Sequence, residues 1–460
     1  MTTERENASD LVVIGGGAAG MTAASRARRL RPNWRITVFE RGDYVSFILC
    51  GLPYFVDDVI ASHESLIVYT PEFFEKERRI EVRTGHEVRR IDPQQLLEVA
   101  DLRTGRTFAH EYRKLVVATG AEAVRPKLDG IGLGNVFVLR SIDDGRRIKA
   151  TLQGGGLRHA VIIGAGYVGL EMADALTIAG LQTVLIEATA SILPASEPEI
   201  AEVVERELAE HGVQVRKEEM VQRLEGNRRV ERAVTSRGEY PADIVIVSVG
   251  VRPAVGVLQQ AGIALGPTTA VATNERMETN LPGVYAAGDV AEAHHLVTGK
   301  AAWVPLGTTA NKQGRVAGEN AAGGNAVFPG IVGTAAVKVF ALEVARTGLT
   351  EAQAREAGFD PVVATIEHLS HAGYYPGATT LRVKLVADRP SGRLMGGQIV
   401  GREAAAKRID VLAAALHARM DVEALVALDL SYAPPFATAW EAVQIAAQQV
   451  MGRLGRSDDP

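Results

Sequence analysis

The chain has 460 residues, a formal net charge of -5 at pH 7 and one cysteine. This length allows two to four domains with ample core, and the slightly acidic charge argues against nucleic acid or an anionic membrane as the main partner. No apolar run approaches the roughly 18 residues needed to cross a bilayer. A single cysteine fits a reducing compartment, so we expect a soluble cytoplasmic protein without a metal site.

An apolar run followed by a glycine-rich loop is the first clear motif. Leu11–Ile14 predicts a strand buried on both faces, Gly15–Gly20 has the spacing G-x-G-x-x-G, and Met21–Leu30 predicts a helix. A second strand, Arg35–Phe39, ends at Glu40, where an acid accepts hydrogen bonds from a ribose. The glycines permit a tight turn and bring a pyrophosphate close to the helix N-terminus. This stretch therefore predicts a dinucleotide site.

The same motif occurs a second time. Ala160–Ile163 predicts a strand, Gly164–Gly169 the loop, and Leu170–Ala179 a helix. A further strand, Thr183–Ile186, ends at Glu187. Two such βαβ units in one chain predict two bound nucleotides, the alternative being one nucleotide and a degenerate copy.

Three later strands end in small-residue turns. They are Tyr112–Gly120, Val245–Pro253 and Gly283–Asp289. Such turns can let the backbone pass close to a bound cofactor. The alternative interpretation is an ordinary left-handed turn with no role in binding. Asp289 is interpreted as a helix N-cap, as an acceptor for a sugar-alcohol chain, or as both.

The pattern changes from about residue 333, where no further nucleotide motif occurs. The predicted strands are Val337–Phe340, Pro361–Ile366, Leu381–Val386 and Gly396–Val400, and the predicted helices are Ala404–Arg419, Val422–Leu428 and Trp440–Met451. This predicts an α+β domain. Tyr432 and Phe436 lie on a segment that a proline pair keeps irregular, which suits contact with a partner subunit.

The single cysteine, Cys50, lies within Val45–Tyr54. Pro53 favours the first turn of a helix, and a sulfur beside a helix N-terminus is expected to have a lowered pKa. Free cysteine is also among the most buried residue types. From the residues alone, a buried structural cysteine and a reactive one both remain open.

Together these motifs resemble the FAD-dependent pyridine nucleotide–disulfide oxidoreductases over nearly the whole chain. The similarity is greatest to the single-cysteine branch, which includes coenzyme A-disulfide reductases, NADH oxidases, NADH peroxidases and persulfide reductases. The motifs that carry it are Gly15–Gly20 with Glu40, Ser46–Tyr54, Ala118–Gly120, Gly164–Glu171, Ala286–Asp289, Tyr374–Gly377 and Tyr432–Pro435.

The fold implied by this resemblance is α/β, with two Rossmann-like nucleotide-binding domains, for FAD and NAD(P)H, and a C-terminal α+β dimerisation domain. The FAD domain is expected in two parts, residues 10–125 and 256–332. Residues 126–255 are expected to bind NAD(P)H, and residues 333–455 to form the dimer.

The resemblance also implies FAD and NADH as cofactors, with NADPH as the alternative. The residues that it assigns to cofactor binding are Gly15, Gly17, Ala18, Ala19, Gly20, Glu40, Arg41, Ser46, Val88, Ala118, Thr119, Gly120, Gly164, Gly166, Tyr167, Val168, Gly169, Glu171, Glu187, Gly250, Gly288, Asp289 and Leu306. Tyr167 would shield the flavin, and Glu171 would orient the nicotinamide. No cation follows Glu187 to bind a 2′-phosphate, which favours NADH.

By the same resemblance Cys50 is the redox centre, because Phe55 stands where two-cysteine members carry their second cysteine. The Cys50 thiolate would attack coenzyme A (CoA) disulfide and form a Cys–S–S–CoA adduct, which electrons from NADH then resolve through FAD. Tyr432, reaching in from the other subunit of a homodimer, is expected to stabilise the departing thiolate, assisted by Tyr374 or Tyr375.

Ala18 stands where the peroxidases and many oxidases carry a histidine, which favours a disulfide or persulfide substrate. The residues expected to contact CoA are Thr22, Arg26, Arg29, Ser46, Leu49, Arg78, Asn311 and Trp440. For each arginine a solvated basic face is the alternative, and Leu49 and Trp440 depart from the family pattern. Two other functions remain open: an NADH oxidase that cycles Cys50 through sulfenic acid, and an electron-transfer flavoprotein in which Cys50 is structural.

Overall fold

The N-terminal part forms one predominantly parallel sheet around the first glycine loop. The computed structural model describes residues 5–92 and 94–454. Its first elements are β1 (Arg5–Ile14), α1 (Ala18–Leu30), β2 (Ile36–Glu40), α2 (Leu52–Val56), α3 (Pro71–Arg78), β3 (Glu81–Thr84), β4 (His86–Asp92), β5 (Leu96–Asp101), β6 (Thr107–Val117) and β7 (Ala121–Ala123). The strand order is β3-β2-β1-β6-β5-β4. Strands β1, β2, β3 and β6 are parallel, and β4 and β5 extend the sheet antiparallel.

The second glycine loop lies in a separate, fully parallel five-stranded sheet. The elements here are β8 (Val136–Phe137), α4 (Ile142–Gln153), β9 (His159–Ile163), α5 (Tyr167–Ile178), β10 (Gln182–Ile186), α6 (Pro198–Glu210), β11 (Gln214–Arg216), β12 (Val221–Glu225), β13 (Arg232–Thr235), β14 (Glu239–Pro241), β15 (Ile244–Val247) and β16 (Val251–Pro253). The order is β11-β10-β9-β15-β8, while β12, β13 and β14 form a small antiparallel sheet. β16 pairs with β7 and so returns the chain to the first unit.

The chain then completes the first sheet. This part contains α7 (Gly256–Gln260), β17 (Val284–Ala286), β18 (Ala293–His294), β19 (Ala301–Ala302) and α8 (Gly307–Ala321). β17 pairs in parallel with the C-terminal half of β6, and α8 packs along α1. The first sheet is therefore built from two stretches of sequence that are far apart in the chain.

The C-terminal part is an antiparallel sheet covered by helices. Its elements are β20 (Ala335–Val339), β21 (Leu342–Gly348), α9 (Glu351–Glu356), β22 (Pro361–Leu369), β23 (Thr380–Asp388), β24 (Leu394–Gly401), α10 (Ala405–His417), α11 (Val422–Val426) and α12 (Ala442–Leu454). The strand order is β20-β21-β24-β23-β22. β21 and α9 were not predicted, and α12 begins two residues later than expected. The predicted domain limits fall between β7 and β8, between β16 and α7, and between α8 and β20, and they stay predictions.

One apolar cluster joins the three parts at the level of Cys50. It contains Leu52 and Phe55 of α2, Leu170 of α5, and Val339 and Phe340 of the C-terminal sheet. Burial of this shared surface fixes α2 between the two nucleotide units, because removing large apolar side chains from water is favourable. The position of Cys50 is thus set by contacts from all three parts.

Candidate active site

The first glycine loop leaves the N-terminus of α1 open. Gly15 has φ +103°, and a Cβ there would lie 2.2 Å from the Ala118 carbonyl oxygen, so only glycine fits. Gly17 precedes α1 without any side-chain cap, and a Cβ built on it meets nothing within 4 Å. Glu40 accepts hydrogen bonds from the backbone N–H groups of Gly16 and Gly42, both at 2.7 Å. The loop therefore presents free backbone donors to an anion.

The second loop repeats this geometry closely. Gly164 has φ +99°, and its Cβ would lie 2.4 Å from the Ser248 carbonyl oxygen, while Gly166 is open like Gly17. Glu187 is buried and accepts from the Ala165 backbone N–H and from Thr189. Both loops have the shape that binds a nucleotide pyrophosphate, and FAD and NAD(P)H each contain a pyrophosphate.

Asp289 follows β17 and lies beside the first loop. Its carboxylate accepts a hydrogen bond from Arg140 at 2.6 Å, and its carbonyl accepts one from the Trp303 indole N–H at 2.8 Å. No helix begins at Asp289, so its interpretation as an N-cap is wrong. Gly288 approaches α1, where a Cβ would lie 2.8 Å from the Ala19 side chain. The carboxylate remains in reach of a ligand lying along this turn.

Cys50 lies in a 3₁₀ turn that precedes α2. The turn is held from both sides, because Ser46 N–H donates to the Gly16 carbonyl and Ile48 N–H donates to the Leu66 carbonyl, both at 2.8 Å. Ser46 has φ +50°, an uncommon conformation for a residue with a side chain. The Cys50 side chain is exposed, so the interpretation as a buried core residue is wrong.

The charge environment of Cys50 differs from the predicted one. Burial by surrounding protein atoms raises the pKa of the Cys50 thiol, even though one face is accessible, and the Glu171 carboxylate adds to the rise. Arg140 opposes this rise in pKa and Asp289 supports it. The predicted lowering by the helix N-terminus is wrong, because α2 has only five residues and desolvation outweighs its small dipole.

Glu171 is the most perturbed carboxyl group near Cys50. It lies on α5, and burial, together with the neighbouring carboxylate of Asp174, raises its pKa to about 7. The pKa of Tyr54 is raised to about 12, mainly by burial and then by Glu171. A carboxyl group that titrates near neutral pH beside a thiol is suited to exchange protons with it.

Tyr167 begins α5 and is partly buried. Burial raises the pKa of its phenol, and the Arg346 guanidinium opposes this rise. Its neighbour Val168 is exposed. Gly250 follows β15 with φ +100°, which only glycine adopts easily.

A polar and basic face runs along α1 and α8, where CoA contacts were predicted. The Thr22 hydroxyl donates to Asn311 Oδ1 at 2.8 Å, so these two predicted residues are in contact. Arg78 donates to Ser25 at 2.6 Å, and its guanidinium lies over three aromatic rings. Arg26 pairs with Glu319 at 2.7 Å, so its charge is partly neutralised.

The remaining predicted residues occupy separate places. Arg29 is exposed at the end of α1, and Leu49 is half-buried beside Cys50. Arg41 is exposed and 3.8 Å from a glutamate on β4, Glu87. Val88 is buried on β4, and Leu306 is the residue before α8. Thr119 donates its hydroxyl to the Ala254 carbonyl, and Gly120 adopts φ +72° with open space around it.

The C-terminal part exposes an aromatic cluster. Its members are Tyr374, Tyr375, Tyr432, Phe436 and Trp440. The Tyr374 and Tyr432 hydroxyls lie 3.3 Å apart, so the structure brings two of the predicted catalytic tyrosines together. The buried Arg408 pairs with Glu441 and donates to the backbone of both segments that carry the cluster.

Sequence reasoning missed three residues that act on Cys50 or on the helix that follows it. Arg140 and Lys149 come from the segment around α4, which carries no motif, and only the folded chain brings them to the site. Tyr54 lies inside the cysteine motif, and its aromatic character beside the proline was the available signal.

Two family models match the chain. The first, described as pyridine nucleotide-disulphide oxidoreductase, matches residues 9–314. The chain belongs to this family. The second is the dimerisation domain of the same family and matches residues 334–443. These matches confirm the predicted family and fold class, and the family is one that uses FAD and NAD(P)H.

Relatives match nearly end to end. The NAD(P)H sulfur oxidoreductase (CoA-dependent) of Pyrococcus abyssi is 40% identical over 439 residues, 95% of this chain and 97% of the relative. The coenzyme A disulfide reductase of Staphylococcus haemolyticus is 31% identical over 432 residues, 93% and 96% of the two chains. The solved NAD-dependent persulfide reductase from A. fulgidus has a TM-score of 0.94 and 40% identity, covering 96% of this chain and 83% of that one.

Within residues 5–92 and 94–454, no helix is long and apolar enough to cross a membrane.

Proposed function

We propose that this flavoprotein uses NAD(P)H to reduce a disulfide, CoA disulfide first among the candidates, with Cys50 as the redox-active thiol. The observation that carries the proposal is the position of the chain's single cysteine. Cys50 is accessible, and the charged groups that act on it come from both nucleotide units, Asp289 from the first and Glu171 with Arg140 from the second. The names of the relatives support sulfur as the target of this reaction.

In the proposed reaction the Cys50 thiolate attacks one sulfur of CoA disulfide. A Cys50–S–S–CoA bond forms as the original S–S bond breaks, and one CoA thiolate leaves and takes a proton. Bound FAD supplies the two-electron connection between the nicotinamide and this sulfur. The sum is NADH, a proton and CoA disulfide giving NAD⁺ and two CoA thiols. Glu171, half-protonated near neutral pH, is proposed to exchange protons with the thiol.

The polar face of α1 and α8 supports CoA as part of the substrate. Thr22 and Asn311 already contact each other there, and Arg29 is exposed in the last turn of α1. Arg78 presents a guanidinium held by Ser25, and guanidinium groups bind phosphates well. CoA carries three phosphate groups at one end and its sulfur at the other, so this face and Cys50 are proposed to bind its two ends.

The choice of nicotinamide follows from Glu187. This buried carboxylate lies where the second unit would bind an adenosine ribose, and it is followed by Ala188 and Thr189 rather than a cation. A carboxylate accepts hydrogen bonds from ribose hydroxyls and repels a 2′-phosphate. We therefore propose NADH as the preferred donor, with NADPH accepted less well.

Reduction of a persulfide is the second candidate. It is favoured by the 40% identity with a protein named as a CoA-dependent sulfur oxidoreductase and with a solved persulfide reductase. The proposed chemistry at Cys50 is similar, because a persulfide also offers an S–S bond to a thiolate. The departures at Leu49 and Trp440 suit a substrate that differs from CoA disulfide.

The test is a set of NADH oxidation assays with CoA disulfide, CoA persulfide or oxygen as acceptor, on the wild type and Cys50→Ser. We expect the wild type to consume one of the sulfur substrates and the variant to lose at least about a hundredfold in kcat, because serine cannot form the mixed disulfide. Retained activity in Cys50→Ser contradicts the proposal, and oxygen consumption matching NADH oxidation identifies an oxidase. Mass spectrometry of the non-reduced protein adds a direct check, namely a CoA adduct released by dithiothreitol.

A further inference from the structure

Two loops from distant parts of the chain carry the aromatic cluster. The hairpin loop, residues 370–379, joins β22 to β23, and the proline loop, residues 427–441, joins α11 to α12. The hydroxyl oxygens of Tyr374 in the hairpin loop and Tyr432 in the proline loop lie 3.3 Å apart. Both side chains are exposed, so burial of their rings contributes little to holding the pair together. The contacts that fix this distance lie beneath the loops.

A buried arginine lies beneath both loops and binds each of them. Arg408 belongs to α10 and is 9% exposed. Its Nη2 donates to the Ser370 carbonyl at 2.5 Å and to the Phe436 carbonyl at 3.0 Å. Its Nε donates to the carboxylate of Glu441, the last residue of the proline loop. One planar guanidinium therefore connects the start of the hairpin loop with two points of the proline loop.

Two further hydrogen bonds complete this support. The Glu441 side chain is buried, and its second oxygen accepts the Val443 N–H at 2.8 Å in the first turn of α12. The Ala372 N–H of the hairpin loop donates to the Pro434 carbonyl of the proline loop at 3.2 Å. The two loops are thus joined directly by their backbones and, underneath, through the arginine.

Loss of the arginine would disturb both loops at once. Glu441 would keep a buried carboxylate without its partner, and the Ser370 and Phe436 carbonyls would lose a donor, each of which is costly. Ser370 lies four residues before Tyr374, and Phe436 lies four residues after Tyr432. A shift of either loop would therefore change the distance between the two hydroxyls.

We propose that Arg408 is a positioning residue for the sulfur reaction, one that holds Tyr374 and Tyr432 as a single hydrogen-bonded pair of phenols. In such a pair one phenol donates to the oxygen of the other, and this polarises the second O–H. The second O–H is then the stronger donor to the thiolate that departs from the disulfide. The inference rests on the proposed function, but its first test needs no disulfide, so the two can fail separately.

The first test joins the two tyrosines covalently in the FAD-loaded protein. Persulfate and a light-activated ruthenium complex remove one electron and one proton from each phenol, and two neighbouring rings then form a carbon–carbon bond. Mass spectrometry of the digested protein should find the peptide of Tyr374 joined to that of Tyr432, and Tyr374→Phe should abolish this product. Arg408→Met should lose most of it, because the loops no longer keep the hydroxyls together.

The second test separates the two halves of the reaction by rapid mixing. The rate of flavin bleaching by NADH without oxygen should be the same in Arg408→Met as in the wild type, with the KM for NADH unchanged. Reoxidation of the reduced enzyme by CoA disulfide should slow at least about tenfold, since a small displacement of a group that acts on the reacting atoms is costly. Reduced stability alone would not slow one half-reaction selectively.

Lys384→Met is the matched control. Lys384 is also a buried cation of the C-terminal part, but its ion pairs are with three glutamates outside both loops, Glu197, Glu199 and Glu351. This variant should lower the Tm and keep the cross-link between the tyrosines.

An undiminished cross-link in Arg408→Met, or none in the wild type, overturns the proposal. Loss of the cross-link with wild-type reoxidation also overturns it, because the tyrosine pair would then have no part in the reaction. If the methionine variant does not fold, Arg408→Lys is judged by the same criteria, since one ammonium group cannot replace the planar fork that binds both loops.

Discussion

At the residue scale, Glu171 shows how packing changes the chemistry of an ordinary side chain. Its carboxyl group lies on α5, where surrounding protein atoms shield it from water, and Asp174 one turn further along the helix repels its charge. Both effects favour the protonated form. Asp174 itself accepts a hydrogen bond from Phe340 N–H, which ties this acidic pair to the C-terminal sheet.

The raised pKa of Glu171 predicts a pH-dependent contribution to stability. The folded state binds this proton more tightly than the unfolded state, so the contribution is complete below about pH 4.5 and is lost as the pH rises towards about 7. Its upper limit is ~3 kcal/mol, at about 1.4 kcal/mol per pKa unit. The difference in Tm between the wild type and Glu171→Gln should therefore fall across this interval.

Glu202 supplies the control for this measurement, because it is exposed on α6. Glu202→Gln should leave the pH dependence of Tm as it is in the wild type. A Tm difference for Glu171→Gln that stays constant with pH would show that Glu171 ionises normally.

At the element scale, the two glycine loops place the same demands on different positions. The first glycine of each loop has a positive φ and touches the carbonyl of a neighbouring strand end, at Ala118 in one unit and Ser248 in the other. The second glycine has no such neighbour and an ordinary negative φ. The first glycine is therefore required by the fold, whereas we propose that the second is required by a nucleotide that approaches the helix N-terminus.

Alanine at these positions should separate the two roles. Gly15→Ala should destabilise the protein by at least about 1–3 kcal/mol, since a Cβ cannot share space with the Ala118 carbonyl and φ +103° is strained. Gly17→Ala should keep the wild-type Tm of the apoprotein and lose flavin, measured as visible absorbance after gel filtration. The outcome that contradicts this is full flavin retention in Gly17→Ala.

Gly166→Ala is the corresponding change in the second unit. It should leave flavin content unchanged and raise the KM for NADH, because a methyl group would then stand where the nicotinamide dinucleotide's phosphates approach. Flavin loss in this variant would show that the two loops do not bind separate nucleotides.

At the scale of the whole molecule, buried charges connect the second nucleotide unit to the C-terminal sheet. Lys384 of β23 is buried and lies 3.1 Å from Glu197 and 3.1 Å from Glu199, at the start of α6. Burial acts to lower the pKa of Lys384, but the carboxylates outweigh it and the pKa is raised. Removing either carboxylate would leave a buried charge less well paired, which is costly, so these contacts connect β23 with the start of α6.

The second feature of the whole molecule is the exposed aromatic cluster formed by Tyr374, Tyr375, Tyr432, Phe436 and Trp440. Rings of this size are rarely left in water without a partner, and the family model for dimerisation covers this region.

Hybrid dimers can test whether the cluster completes the partner's site. Cys50→Ser and the double variant Tyr374→Phe/Tyr432→Phe should each be weakly active alone. After mixing and exchange, about a quarter of wild-type activity should return, because half the dimers are hybrids with one intact site.

Recovery depends on the tyrosines acting across the interface. If both tyrosines served the Cys50 of their own chain, each hybrid dimer would contain one site lacking Cys50 and one lacking the tyrosines, and no activity would return on mixing. Analytical ultracentrifugation of the mixture confirms that dimers are present in both cases.

The sequence alone determined the family, the two βαβ units with their glycines, and the glutamates at the ends of their second strands, Glu40 and Glu187. These features depend on local rules, since a tight turn needs glycine at a fixed spacing and a buried parallel strand needs a continuous apolar run. The strands β9 and β10 lie within one residue of their predicted limits for this reason, whereas β1 begins six residues earlier than predicted, at Arg5 rather than Leu11. The single cysteine was singled out because it is the only one.

Only the tertiary structure decided the charge around Cys50. Arg140 is 90 residues from Cys50 in sequence and Glu171 is further still, and their effect depends on distance and burial rather than on spacing. The predicted lowering of the Cys50 pKa was wrong for the same reason. A short helix lowers the pKa less than the loss of water around the thiol raises it. Long-range contacts and solvent exclusion arise only when distant segments pack together, so no local pattern encodes them.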